Sequence, residues 1–144
     1  MYALVDTHPM SPTYSYPLII REFHLDTFGH VNNATYLTIF EEARWEIVTS
    51  QGYGLDKIKE TQQGPIILDV QIKFLKELRL RTQATIKTQI LSYTDKISKL
   101  KQWIEDSSGK VYAEAEFTVG LFDMKTRKLI TPTSAWLNAL GITS

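Results

Sequence analysis

The feature that narrows the fold most is a change of period partway along the chain. Across Asn33 to Gln51 the apolar residues return every three or four positions, and Tyr36, Leu37, Phe40, Ala43, Ile47 and Val48 form one stripe. After Gly64-Pro65 the pattern becomes alternation. Ile66, Leu68, Val70, Ile72 and Phe74 make one such set, and Ala84, Ile86, Thr88 and Ile90 a second. Val111, Ala113, Ala115, Phe117, Val119 and Leu121 make another. Period two marks strands with one buried face. Ile97 to Glu105 alternates less cleanly but is bounded as a strand by Thr94-Asp95 and Ser107-Ser108-Gly109. Leu18 to Phe23 reads as a first strand. A sheet that buries one face needs a cover, and the helix is the only large apolar element able to supply it. The expected class is α+β, a five-stranded antiparallel sheet wrapped around one long central helix.

The punctuation fits this reading. Asn32 or Asn33 can cap the helix by accepting a first-turn amide, and Gly52 and Gly54 end it. Leu55 to Gln62 reads as a short helical turn. Thr131-Pro132-Thr133 can open a short C-terminal helix, with Pro132 in its first turn. Pro9 and Pro12 make residues 1–14 an irregular arm, which leaves 15–144 as a single domain. A chain of 144 residues is the usual size for one.

Composition removes several functions. The absence of cysteine excludes disulfides, thiolate metal sites and a cysteine nucleophile. Sixteen basic and sixteen acidic residues cancel, so no global field draws nucleic acid or an anionic membrane. No apolar run reaches the ~20 residues of a membrane span, and no signal peptide is evident, so the expected location is the cytoplasm. No phosphate-binding glycine loop, dinucleotide fingerprint or serine-hydrolase elbow occurs.

The segment HLDTFGHVNNATYLTIFEEARW, His24 to Trp45, holds the candidate chemistry. Asp26 lies just ahead of the long helix, and Gly29 allows a sharp turn between them. A carboxylate there could attack a carbonyl polarised by the helix-start amides, or activate a water. It could equally cap its own turn, and local spacing favours the cap. His30 could orient Asp26 or bond the turn backbone. Asn32 and Asn33 read first as caps, although one amide could bond a substrate carbonyl. Glu42 sits at the edge of the apolar stripe, where it could act as a base or pair with Arg44. His8, His24 and His30 have no metal-ligand spacing. Lys73, Lys76, Arg79, Arg81, Lys99 and Lys101 could meet phosphates or simply solvate a sheet face.

Asp26-Thr-Phe-Gly29-His30-Val31-Asn32-Asn33-x-x-Tyr36, followed by Glu41-Glu42-Ala43-Arg44, resembles the 4-hydroxybenzoyl-CoA thioesterase family of hotdog proteins. Within it, the chain is similar to the bacterial acyl-CoA thioesterase branch that includes the long-chain type. The resemblance covers roughly Tyr16 to Phe122 and implies a hotdog fold. It further implies hydrolysis of an acyl-CoA to free acid and coenzyme A, without a metal or redox cofactor. Asp26, His30 and Asn33 fall on catalytic positions, and Gly29, Asn32, Tyr36 and Glu42 on substrate-binding ones. A homodimer or homotetramer with the active site at the subunit interface is implied too. Many relatives carry a Pro and a Gly-Asp turn after the second strand; here Phe74 to Arg81 replaces them. A hotdog hydratase acting on an enoyl thioester and a non-catalytic acyl-thioester binding module share the same frame.

Overall fold

The structure is a computed structural model that describes residues 9–142. The N-terminal arm expected over 1–14 lies mostly outside the described residues, as does His8. Strand β1 (Tyr14–Ile19) leads through a 3-10 turn at Glu22–His24 to helix α1 (Asn33–Ser50) and the short α2 (Leu55–Thr61). Strands β2 (Gln63–Phe74), β3 (Gln83–Thr94), β4 (Ile97–Asp106), β5 (Val111–Asp123) and β6 (Lys128–Ile130) follow, and α3 (Ser134–Ala139) closes the chain. All pairings are antiparallel, in the order β1-β3-β4-β5-β2. This is the hotdog arrangement: one sheet curled around α1.

Asn32 caps α1, its side chain accepting the Ala34 amide at 2.8 Å. The buried face of the helix is Tyr36, Ile39, Phe40, Ala43 and Val48. It meets the buried face of the sheet, where Phe40 packs edge-on against Phe117 with ring centroids 6.0 Å apart. Full burial of such side chains stabilises by about 1.5–3 kcal/mol each. Leu37, expected in the stripe, is 40% exposed, and Ile39 takes its place. A sheet contacts a narrower arc of the helix than the apolar stripe spans, so one flank stays outside.

Four other expectations change. The first strand begins at Tyr14, not Leu18, and runs through Pro17 opposite Thr85. Its outer side is an edge, where a residue lacking an N–H is tolerated. The sheet has six strands instead of five. β6 pairs Leu121–Asp123, continuing the side of β5 that β4 leaves after Val119. Three residues are too few to show a period. The buried face of β2 shifts register at Leu68. Ile67 pairs with Val119 and Asp69 with Thr118, so Leu68 is the extra residue of a bulge. Pro65 and Ile67 therefore share a face with Val70 and Ile72, and Leu68 does not. Finally, Thr133 caps α3, which puts Pro132 outside that helix.

Candidate active site

The chain from Arg21 to Asn33 is built as two nested turns. His24 is buried, and its Nδ1 accepts the Arg21 amide at 2.9 Å. Burial holds its pKa below 6.5; Glu42 raises it and Arg21 lowers it by smaller amounts. Leu25 then pairs with Val31 as an antiparallel bridge, and the residues between them form a tight loop. Gly29 adopts φ +82°, a left-handed conformation that a side chain would strain.

Asp26 organises that loop. Its Oδ1 accepts the amides of Phe28 at 2.9 Å and His30 at 3.2 Å. Its backbone closes the turn from Asp26 N–H to the His30 carbonyl at 2.8 Å. Oδ2 accepts no hydrogen bond among the described residues. The capping role and a chemical role thus fall on different oxygens. At the start of α1 the Asn33 amide also has no acceptor among the described residues, whereas those of Ala34 and Thr35 bond Asn32. A free amide at a helix N-terminus carries part of the positive end of the helix dipole.

His30 turns its ring away from Asp26. Its Nε2 meets Glu77 Oε1 at 2.5 Å, with both side chains well exposed. Only its backbone touches Asp26. Glu77 belongs to the Phe74–Arg81 segment, whose sequence departs from the family pattern. That segment folds onto the entry turn: Leu78 is fully buried, and Arg81 pairs with Glu22 at 2.5 Å. Arg81 N–H also donates to the Ile20 carbonyl, and Ile20 N–H to Thr82. Tyr36 is buried beneath, edge-on to Phe74 at 5.0 Å, and burial raises its pKa.

Glu42 faces neither Arg44 nor Asp26; it accepts the Tyr16 hydroxyl at 2.8 Å. Burial and this carboxylate push the Tyr16 pKa up to about 12. Asn33 is exposed, and its side chain makes no hydrogen bond among the described residues. No three His, Asp or Glu side chains are gathered for a metal among the described residues. No described helix is long and apolar enough to cross a membrane.

One polar group of consequence escaped the sequence reading. Arg44 lies inside the wrap, its Nη1 donating to Gln102 Oε1 at 2.8 Å and its guanidinium stacked 4.3 Å from the Phe117 ring. Gln102 is fully buried, and its Nε2 donates to the Phe40 carbonyl and to Thr88 Oγ1, both at 3.0 Å. Burial lowers the Arg44 pKa to about 10, so the group stays charged at neutral pH. The imperfect alternation of β4 was the available signal: Ser98 and Gln102 occupy its inward positions.

A loop carboxyl with a free oxygen, set before an open helix start inside a hotdog sheet, is a constellation suited to acyl transfer. Residues 22–140 match the model of the thioesterase-like superfamily, and the chain belongs to that family. It is 31% identical over 118 residues to the long-chain acyl-CoA thioesterase FadM of Escherichia coli, a match covering 77% of this chain and 84% of that protein. The structure of YbaW, a probable thioesterase from Escherichia coli, superposes with a TM-score of 0.78 at 27% identity, covering 88% of this chain and 98% of that one. A Staphylococcus aureus protein solved in complex with CoA reaches 0.83 at 16% identity, covering 93% and 88%, and shares the fold.

Proposed function

We propose that the chain hydrolyses an acyl-CoA thioester to a free acid and coenzyme A, in the manner of the 4-hydroxybenzoyl-CoA thioesterase type of hotdog enzyme. The observation that carries this reading is the split use of Asp26 in the turn that leads into α1: Oδ1 is fixed by two amides while Oδ2 accepts no hydrogen bond among the described residues. The thioester carbonyl would accept the Asn33 amide, and the developing oxyanion would draw on the helix dipole. Asp26 Oδ2 would then attack the carbonyl carbon, or take a proton from a water that does so. Thiolate leaves in either case, and the acid is released directly or after a mixed anhydride is hydrolysed. His30 would steady the turn through its backbone and its Glu77 contact. Gly29 and Asn32 would keep the turn and helix start open to substrate, with Tyr36 and Glu42 lining the approach. The scheme needs no metal or redox cofactor, because the attacking oxygen comes from a side chain or from a water it activates.

The same reading makes the protein a homo-oligomer. β2 ends the sheet, and Ile67, Leu68 and Phe74 along it are each more than two-fifths exposed. A long apolar edge is an aggregation hazard in a monomer and a pairing surface in a dimer. Joining two such edges would bring a second chain close to Phe74 and Tyr36, and so to the proposed site.

Thiol release from a panel of acyl-CoA chain lengths is the decisive measurement. Wild-type protein should release thiol, and Asp26→Asn should lower kcat/KM by about 10²–10⁴-fold with the fold unchanged. An undiminished Asp26→Asn overturns the assignment of Asp26. Hydration with the thioester intact would mark a hydratase, and saturable binding with no thiol release a binding module.

A further inference from the structure

Between α1 and the sheet lies a cavity of about 200 Å³ lined mainly by apolar side chains, among them Trp45, Ile67, Leu100 and Trp136. Arg44 and Ser98 stand in the same lining. The Ser98 hydroxyl is not satisfied there, and Arg44 is satisfied only in part. The Arg44 guanidinium has five N–H donors, yet only one of its hydrogen bonds is formed among the described residues, to Gln102. No carboxylate lies within ion-pair range of it among the described residues. Glu41, one turn earlier, shares the lining and raises the Arg44 pKa at longer range, but its Oε1 accepts the Trp45 indole at 3.2 Å and does not meet the guanidinium. Ser98 is 3% exposed, and its Oγ has no hydrogen-bond partner among the described residues. A cavity meant for plain hydrocarbon gains nothing from a half-buried cation with open donors and an orphan hydroxyl, and the hydroxyl costs free energy unless a polar atom meets it.

Position along α1 indicates what reaches them. Arg44 lies eleven residues beyond Asn33, about 16 Å along the axis at 1.5 Å per residue. An extended chain advances roughly 1.2 Å per bond, as the polypeptide backbone does. About a dozen bonds therefore separate a carbonyl at the helix start from Arg44. We propose that this cavity receives the far end of an acyl chain tipped with a carboxylate, which pairs with Arg44. The substrate class is the monothioester of a long dicarboxylic acid. The inference rests on the hydrolysis reading above for the thioester end only; the cavity itself can be tested apart from catalysis.

Trp45 and Trp136 in the lining report occupancy by fluorescence. Octanoate should bind wild-type protein at least about tenfold more tightly than methyl octanoate, because only the free acid offers Arg44 a charged acceptor. Equal affinity overturns the proposal without any variant. Arg44→Met should erase the difference and Arg44→Lys should keep part of it; a folded Arg44→Met that still prefers octanoate also overturns it. In the catalytic arm, the terminal carboxyl derivative of dodecanoyl-CoA should show roughly tenfold higher kcat/KM than dodecanoyl-CoA itself. Equal turnover of the two with no octanoate preference sinks the cavity proposal and leaves hydrolysis standing. Absence of thiol release from both sinks the hydrolysis reading, and the fluorescence titration then decides the cavity alone.

Discussion

The turn at Asp26 and the buried set around Arg44 and Gln102 solve the same problem in opposite ways. Each must supply partners for polar groups. Asp26 finds its partners two and four residues along its own chain. Gln102 reaches Arg44 across 58 residues of sequence and the Phe40 carbonyl across 62. The turn is exposed enough for solvent to stand in when a bond is lost. The interior set is not, so its members hold one another in place. A local device can be spent on chemistry, whereas a distributed one is tied to the fold.

Substitutions should separate along this line. The largest effect should be on turnover with little change in stability: Asp26→Asn keeps an acceptor for the Phe28 and His30 amides, so its unfolding free energy from urea titration should stay within about 0.5 kcal/mol of wild type while activity collapses. Asp26→Ala removes the acceptor as well and should cost about 1 kcal/mol more. Gln102→Leu should show the reverse pattern in urea unfolding, a loss of about 3 kcal/mol. It leaves a half-buried guanidinium, a carbonyl and a hydroxyl without their shared partner. A Gln102→Leu protein as stable as wild type would erase the contrast between the two regions.

A smaller effect joins them. His24 is buried beside the entry turn with its pKa held below 6.5. The folded state resists its protonation, so its contribution is complete above pH 6.5 and is lost as pH falls below that value. His24→Asn retains an acceptor for the Arg21 amide and should show a shallower loss of stability between about pH 7 and about pH 5. An unchanged slope would assign that loss to other groups. The smallest change should come from Glu77→Gln. Its pair with His30 is well exposed on both sides, and such pairs contribute below about 0.5 kcal/mol. Chemical denaturation with a shift above that would mean the Phe74–Arg81 segment braces the turn more than its exposure suggests.

Much of the fold was legible because it was written in short-range terms. The helix start at Asn33 followed from an Asn cap and a period of three to four, and the four long strands from period two. Leu68 was misassigned because alternation continues unbroken through Ile66, Leu68 and Val70. Nothing in the side chains marks which residue is the extra one; pairing with β5 decides it. β6 was missed because it is three residues long and exists only where β4 has ended. At the candidate site, Asp26, Gly29 and Asn32 could be placed by turn and cap chemistry alone. The partners of His30 and Glu42, namely Glu77 and Tyr16, could not, since each comes from a separate strand or loop.

The amino-acid sequence by itself determined where the helix starts, which stretches are strands, and that a carboxyl stands in a glycine turn ahead of the helix. Those features depend on contacts a few residues apart, and local side-chain chemistry is sufficient for them. Tertiary structure alone decided which groups meet Arg44. On a helical wheel position 44 falls within the apolar stripe, four residues after Phe40 and three before Ile47, but the wheel names no partner for a cation there. Arg44 became a half-buried cation because the sheet wraps that side of α1, places Gln102 and Phe117 against the guanidinium, and takes away part of the water that would otherwise have surrounded it.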